Sequence, residues 1–285
     1  MIESGVFTDE ISLDFDRAVR IASELGVNKV DVRTIGDKNI SEIDEIEAQE
    51  MMRVLRKYGC KVGTIASPFG KCSIDNIEEY NLHLKMLEHL IWLADFFDTQ
   101  IIRSFAFWRP KELREDERTP LEGELLEKIS EKLSPAVKIA DESGKILALE
   151  SEGSTFVGTC AEACKVLDSI DNENLKVCWD IANGWYCGEV PFPDGYSHIR
   201  GLVVHLHIKD FMLDSGDINK KKGCIIGEGI IPYDTIFRAL LYDEFDGIAS
   251  IETHLFFGDP DRFEKLEKAT VQSIINLKEI LKNLG

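Results

Sequence analysis

Four residues with metal-binding side chains each stand at the end of a short apolar run. They are Glu150 in "LALE", Asp180 in "CWD", His207 in "VHLH" and Glu252 in "SIE". A charged group at the end of a buried strand is costly to desolvate, and carboxylates gathered around one opening repel one another unless a cation compensates them. Together the four residues predict a site for one divalent metal ion.

The chemistry of this ligand set narrows the choice of metal. Three carboxylates and one imidazole form an oxygen-rich set that suits Mn²⁺, Mg²⁺ or Co²⁺, and Zn²⁺ is a further candidate. Taken singly, each acid also has a structural interpretation, because an acid after a strand often caps the next helix. The repetition at four successive strand ends favours the metal site.

Short β-branched apolar runs alternate with longer segments of helical periodicity, which predicts repeated βα units. Eight strands are predicted, over residues 2–7, 29–33, 62–67, 100–106, 146–150, 176–180, 201–207 and 248–252. Amphipathic helices are predicted over 14–25, 42–58, 77–97, 121–143, 160–167, 233–241 and 262–284. Gly26, Gly59 and Gly144 each follow a helix in the manner of a C-terminal cap. Eight units in 285 residues average about 36 residues each, which fits a single (β/α)8 TIM barrel.

Several features favour one domain over residues 1–285. No Pro/Gly/Ser-rich linker divides the chain, and the strands are nearly continuous apolar runs, as in a parallel sheet covered on both faces. The first strand is followed by "TDEI", which is unlike the glycine-rich loop of an open nucleotide-binding sheet. Three long connections, 108–120, 183–198 and 211–232, follow strands, so we expect them over the carboxyl-terminal mouth of the barrel, where such folds build their sites.

The strand-end motifs resemble those of the xylose isomerase-like TIM barrels of the sugar phosphate isomerase/epimerase family, and the resemblance spans nearly the whole chain. It rests on "LALE", "CWD", "HIKD" and "SIETH", and on "GEG" at 227–229 before "PYD" at 232–234. It implies that Glu150, Asp180, His207 and Glu252 bind one divalent metal. It also implies that the two glutamates lie on opposite sides of a bound substrate.

Such an arrangement suits proton transfer beside a carbonyl group. A metal that chelates a carbonyl and its neighbouring hydroxyl acidifies the intervening C–H and stabilises the resulting enediolate. With Glu150 and Glu252 as the catalytic pair, a small sugar or cyclitol substrate is epimerised, or isomerised if the proton returns to the adjacent carbon. Loss of a β-hydroxyl from the same enediolate makes an inosose-type keto-cyclitol dehydratase the alternative, because the motif is shared by all three reactions.

Three positions depart from the fuller family pattern. Ser151-Glu152 stands where many members have Asn-His, Asn183 where many have His, and Phe156 where the ketohexose epimerases have a substrate-binding Glu. A catalytically lapsed barrel that only binds a ligand is therefore a second alternative. A DNA-repair endonuclease on the same barrel is disfavoured, because that class gathers three zinc ions with more histidines than the six present.

Further residues near the predicted strand ends are candidates for substrate binding: Arg103, Trp108, Trp185 and Lys209. A guanidinium group suits a substrate carboxylate or phosphate, and an indole ring can stack on the face of a sugar. The structural alternatives are a surface position or a salt bridge within the barrel for Arg103, and plain packing for an aromatic ring in a long loop. Lys209 resembles the family lysine near the substrate, and its structural alternative is an ion pair with Asp210 or Glu228.

Two polar residues beside these positions have structural interpretations. Glu10 follows the first strand and could line the pocket or cap the first helix, and we expect it to cap the helix. His205 faces the same side as His207 by strand alternation and could support the site, and we expect a hydrogen-bonded core histidine there.

The composition restricts partners and location. The chain has 33 Lys and Arg against 52 Asp and Glu, a formal net charge of −19, which opposes binding to nucleic acid or to an anionic membrane. Its seven cysteines lack paired spacing and predict reduced thiols. No basic leader or long apolar run begins the sequence, so we expect a cytoplasmic protein. The outer helices of such barrels often pair, which allows a homo-oligomer.

Overall fold

A computed structural model describes residues 1–110, 120–214 and 217–284, and over 217–220 it describes the backbone only. Parts of two predicted connections, residues 111–119 and 215–216, lie outside the described residues.

The described residues contain eight strands that close into a parallel barrel. They are β1 (Ile2–Phe7), β2 (Lys29–Val32), β5 (Lys61–Ile65), β6 (Ile101–Ser104), β7 (Ile146–Glu150), β8 (Leu175–Asp180), β9 (Val203–Ile208) and β12 (Gly247–Ile251). The other four described strands form two hairpins, β3 (Thr34–Ile35) with β4 (Lys38–Asn39) and β10 (Asp210–Asp214) with β11 (Asp217–Cys224). The barrel order is β1-β12-β9-β8-β7-β6-β5-β2. The prediction of a single (β/α)8 TIM barrel is confirmed, and each predicted strand overlaps one of these eight.

Helices alternate with the barrel strands as the periodicity predicts. The long ones are α2 (Phe15–Glu24), α3 (Glu45–Tyr58), α4 (Ile77–Phe96), α5 (Gly123–Glu142), α6 (Cys160–Ile170), α9 (Tyr233–Tyr242) and α10 (Arg262–Lys282), and the short ones are α1 (Thr8–Ile11), α7 (Asn183–Tyr186) and α8 (Tyr196–Ile199). Local chemistry sets their ends: Asp44 and Glu47 form a reciprocal capping box at the start of α3, and Gly59 ends that helix with φ of 69°. In the part of the chain that the structure describes, no helix is both long and apolar enough to cross a membrane.

The chain divides into two compact units. The first unit consists of Met1–Gly63 with His205–Gly285, and the second is Thr64–Val204. The expectation of one domain over residues 1–285 stays a prediction.

Within the first unit, β1 pairs in parallel with both β2 and β12, and β12 pairs with β9. Phe7, Phe211 and Phe237 are among its fully buried side chains. Each such burial contributes roughly 1.5–3 kcal/mol of transfer free energy. This packing fixes the ends of β1, β2, β9 and β12 relative to one another.

Within the second unit, β7 pairs in parallel with β6 and with β8. Trp179, Phe105 and Leu90 are fully buried there, and the Trp179 ring stacks on Tyr196 at 5.3 Å between centroids. The register brings Glu150, the last residue of β7, opposite Cys178, two residues before the end of β8.

The hairpin β10–β11 follows β9 almost directly and is tied down by one buried carboxylate. Asp210 accepts backbone N–H groups from Phe211 at 2.9 Å and from Gly227 and Gly229 at 3.0 Å each. Burial raises the pKa of Asp210 above its ordinary value, although these backbone donors work to lower it. The hairpin and the turn at 227–229 are thus held together at the point where β9 ends.

Candidate metal site

In the second unit, the ends of β7 and β8 present two buried carboxylates. Asp180 Oδ1 accepts the backbone N–H groups of Ala182 at 2.9 Å and of Asn183 at 3.1 Å, so the turn that begins α7 orients this side chain. Glu150 is 2% exposed. Both carboxylates are therefore in a low-dielectric setting, where charge needs close compensation.

Two side chains of the same unit hold the Glu150 carboxylate. Arg103 Nη1 donates to Glu150 Oε2 at 3.2 Å, and its Nη2 and Nε donate to the carbonyls of Ala66 at 3.0 Å and Ser67 at 3.2 Å. Asn183 Nδ2 donates to Glu150 Oε1 at 3.3 Å and to the Ser151 carbonyl at 2.8 Å. Asn183 thus contacts a carboxylate that the sequence predicts to be a metal ligand.

In the first unit, β9 and β12 bring His207 beside Glu252. His207 pairs in register with Ser250, two residues before Glu252, and its ring is fully buried edge-on against Phe7 at 4.9 Å. His207 Nδ1 lies 3.5 Å from Glu252 Oε2. The Glu252 backbone N–H donates to the Ile208 carbonyl at 2.9 Å, which holds the chain just after β12 against the end of β9.

The two oxygens of Glu252 face different groups. Oε1 lies 2.5 Å from Arg33 Nη1 and 3.0 Å from His254 Nε2, whereas Oε2 lies 3.4 Å from Lys209 Nζ. Burial alone would raise the pKa of Glu252, but His254, Lys209 and His207 outweigh it, so the pKa lies well below its ordinary value. Glu252 is therefore an ionised, buried carboxylate.

The four strand-end residues carry side chains of the types that bind divalent cations. In the second unit Glu150 and Asp180 offer buried carboxylate oxygens, and in the first unit His207 and Glu252 offer a buried imidazole nitrogen and carboxylate oxygen. The four residues are at most 2% exposed. Three carboxylates and one imidazole fit a divalent cation in the chemistry of their donors. The structure thus holds His, Asp and Glu groups positioned to bind a metal ion.

His205 forms the core hydrogen bond that the sequence predicts. Its Nε2 lies 2.6 Å from Asp31 Oδ2, and both side chains are fully buried. The ring meets the His207 ring edge-on at 5.4 Å between centroids. The Asp31 side chain has room because its neighbour in β5 is Gly63, which has no side chain. A Cβ atom at Gly63 would lie 2.9 Å from Asp31 Oδ1.

The structure locates the predicted substrate-binding residues without testing that role. Arg103 holds Glu150, and Lys209 faces Glu252 rather than Asp210, which accepts backbone N–H groups. Trp108 is 39% exposed and bridges to Thr155. Trp185 lies in α7, the helix that begins three residues after the end of β8. Binding of substrate by Arg103, Trp108, Trp185 and Lys209 stays a prediction.

The expected role of Glu10 is wrong. Glu10 lies within the four-residue helix α1, which has no side-chain cap, and it is fully buried. Its carboxylate accepts hydrogen bonds from Arg33, Thr253 and His254 instead. Arg33 is a further residue of this cluster and is the last residue of a predicted strand, so its charge at a strand end is the signal in the sequence that could have identified it.

The fold and these strand-end groups define a closed parallel (β/α)8 barrel with candidate metal ligands at the carboxyl ends of its strands. The sequence matches the xylose isomerase-like TIM barrel family over residues 19–279. The chain belongs to this family.

Part of the sequence is also similar to curated proteins. The inosose dehydratase of Bacillus cereus (strain AH820) is 26% identical over 138 residues, which cover 44% of this chain and 46% of that protein. The matched segment thus spans about half the length of that curated relative.

Solved structures share the fold at low identity. D-allulose 3-epimerase from Methylomonas sp., in complex with D-allulose, superimposes with a TM-score of 0.72 at 12% identity, over 99% of this chain and 96% of that one. A xylose isomerase-like TIM barrel protein from Mycobacterium smegmatis, in complex with magnesium, gives a TM-score of 0.68 at 19% identity, over 92% of this chain and 88% of that one. At such identities the likeness concerns the fold.

Proposed function

We propose that this protein is a divalent-metal-dependent sugar isomerase or epimerase that acts on a small hydroxy-carbonyl substrate, a sugar or a cyclitol, by proton transfer through an enediolate. One observation carries the proposal: four successive barrel strands end in buried metal-binding side chains, Glu150 and Asp180 in the second unit, and His207 and Glu252, 3.5 Å apart, in the first. These four residues would hold Mn²⁺, Mg²⁺, Co²⁺ or Zn²⁺. The bound cation would supply Lewis acidity at the carbonyl and hydroxyl oxygens of the substrate.

The protein's own contribution is to hold two carboxylates for proton transfer. Glu150 is fixed by Arg103 and Asn183, and Glu252 by Arg33 and His254. A carboxylate fixed in this way meets a substrate C–H without first losing side-chain entropy. In the proposed mechanism, one glutamate removes the proton and the other returns it, so that the stereochemistry at the carbon changes.

A dehydratase is the second candidate, because the inosose dehydratase of Bacillus cereus shares 26% identity over 138 residues. The same proton abstraction followed by loss of a β-hydroxyl would complete that reaction. The two candidates differ in the product: an isomerase or epimerase conserves the mass of the substrate, whereas a dehydratase releases one water.

The test combines metal content with proton exchange. After loading with Mn²⁺ and dialysis, we expect one Mn²⁺ per chain by inductively coupled plasma mass spectrometry. We expect that metal to be lost in His207→Ala. Glu189→Gln is the matched control, because Glu189 caps α6 through the backbone N–H groups of Cys160 and Ala161 and is not in the proposed ligand set. Full metal content in His207→Ala would refute the ligand set.

The reaction is tested by incubating ketoses and inososes with the Mn²⁺ form in D₂O. We expect deuterium at the carbon beside the carbonyl, seen by NMR, and its loss in both Glu150→Gln and Glu252→Gln. Release of one water from an inosose, seen as a mass change, would favour the dehydratase. Exchange that persists in both variants would refute the two-glutamate mechanism.

A further inference from the structure

Arg33 is the centre of a buried ion-pair network next to Glu252. Its Nε donates to Asp9 Oδ2 at 2.8 Å, its Nη2 to Glu10 Oε1 at 2.8 Å and its Nη1 to Glu252 Oε1 at 2.5 Å. The same Nη1 lies 2.7 Å from His254 Nε2. All three nitrogens of the guanidinium group therefore have partners on the protein, and only 18% of the side chain is exposed.

The partners of Arg33 are themselves fixed. Glu10 Oε2 accepts the Thr253 hydroxyl at 2.7 Å and the His254 backbone N–H at 3.0 Å, which ties α1 to the segment after β12. The face of Phe7 lies 4.8 Å from the Arg33 guanidinium carbon. A guanidinium group held on its edges by carboxylates and on its face by an aromatic ring has little freedom to rotate.

Arg33 and His254 contact one carboxylate oxygen of Glu252, Oε1, and the second oxygen, Oε2, faces other groups. Oε1 faces Arg33 and His254, and Oε2 faces His207 Nδ1 at 3.5 Å and Lys209 Nζ at 3.4 Å. Because the carboxylate is planar, holding Oε1 determines the direction of Oε2. Of the two oxygens, Oε2 is therefore the one that faces another proposed ligand.

We propose that Arg33 is a positioning residue that holds Oε1 of Glu252 and so presents Oε2 to the metal ion. This inference rests on the proposed function, because it requires Glu252 to be a ligand. The structural basis is the fork of Arg33, which bonds Asp9 and Glu10 of α1 as well as Glu252. A metal ligand fixed by such an outer contact binds its metal more tightly than a free one.

The test measures the dissociation constant of Mn²⁺ by calorimetry on metal-free protein. We expect Arg33→Met to weaken Mn²⁺ binding by about 10- to 100-fold, the usual effect of removing an outer partner of a metal ligand. Arg17→Met is the matched control, because Arg17 makes the same kind of two-bond contact with Glu267 and is half exposed. Its Mn²⁺ affinity should not change.

A double variant separates positioning from a general effect on the fold. If Arg33 acts through Glu252, then Arg33→Met should have no further effect on Mn²⁺ affinity in a Glu252→Gln background. If Arg33→Met weakens Mn²⁺ binding by the same factor in the Glu252→Gln background as in the native protein, the inference is overturned. Unchanged Mn²⁺ affinity in Glu252→Gln would refute the ligand set, and hence the proposed function. If Glu252→Gln weakens Mn²⁺ binding but Arg33→Met does not, only the role of Arg33 is refuted.

Arg33→Lys decides the question if Arg33→Met does not fold. Lysine keeps the positive charge but is a point charge without the planar fork, so it cannot hold three carboxylates in one geometry. We expect the dissociation constant of Arg33→Lys to lie between those of the native protein and Glu252→Gln. Native affinity in Arg33→Lys would show that charge alone suffices and would overturn the positioning role.

Discussion

Glu10 is fully buried in the first unit and accepts hydrogen bonds from three donors, so Glu10→Gln is expected to destabilise the fold. Oε1 accepts from Arg33 at 2.8 Å, and Oε2 accepts from the Thr253 hydroxyl at 2.7 Å and the His254 backbone N–H at 3.0 Å. Burial by itself would raise the pKa of Glu10, but His254 and Arg33 outweigh it, and the pKa lies below its ordinary value. The native side chain is therefore a carboxylate.

The size of the effect follows from these contacts. In Glu10→Gln the amide oxygen keeps the bonds to Thr253 and His254, and the amide NH₂ then faces the Arg33 guanidinium, donor to donor. Loss of a hydrogen bond to a charged group costs about 1.5–3 kcal/mol, and the two remaining bonds weaken because they lose their charge assistance. We expect the free energy of unfolding to fall by about 3 kcal/mol, at the lower end of the range for breaking a buried ion pair.

Urea unfolding followed by circular dichroism measures this change, with Glu267→Gln as the matched control. Glu267 accepts two hydrogen bonds from Arg17, at 2.8 and 2.9 Å, in a solvent-exposed pair. We expect no change in Glu267→Gln beyond the error of the linear extrapolation. Equal losses in the two variants, or a loss below about 1 kcal/mol in Glu10→Gln, would refute the claim that burial makes the Glu10 contacts strong.

Three further predictions concern residues outside the candidate site. Burial lowers the pKa of His83, whose Nδ1 accepts the Gly70 N–H at 3.1 Å, so the unfolded chain binds a proton first as the pH falls below 6.5. As the pH decreases, the free energy of unfolding should therefore decrease more steeply in the native protein than in His83→Gln, by up to about 1.4 kcal/mol per pH unit. Equal slopes in urea titrations would contradict this. Gly70→Ala should cost about 3 kcal/mol or more in urea unfolding, because φ is +87° and a Cβ would lie 1.9 Å from a backbone carbonyl oxygen. Gly36→Ala, with nothing within 4 Å, should cost less, and the reverse order would refute the steric argument. Burial raises the pKa of Cys72 to about 11, so peptide mapping after iodoacetamide treatment at pH 8 should find the partly exposed Cys164 modified well before Cys72.

The barrel itself could be predicted because its signals are local. The predicted helix over 77–97 ends one residue from the observed α4, and the predicted strands over 2–7 and 146–150 match β1 and β7 in full. Apolar runs, helical periods and glycine caps lie within a few residues of one another and are therefore visible in the sequence. The hairpins β3–β4 and β10–β11 do not follow from these signals, because β3 and β4 have only two residues each and β11, although eight residues long, is mostly polar.

The candidate ligands could also be predicted from the sequence. A single rule selects all four: each is a metal-binding side chain at the end of an apolar strand. All four are buried at the ends of barrel strands or directly after them. The groups that hold them were not accessible in the same way. Asn183 was noted only as a departure from the family pattern, yet it donates to Glu150.

The sequence by itself determined the strands, the helices and the order in which candidate ligands follow them, because each depends on residues that are neighbours in the chain. Only the tertiary structure decided which groups surround those ligands. Arg33 and Glu252 are 219 positions apart, and Glu10 and Thr253 are 243 apart. No local pattern links such residues; they meet because parallel strands from both ends of the chain pair side by side, β1 with β12 and β1 with β2.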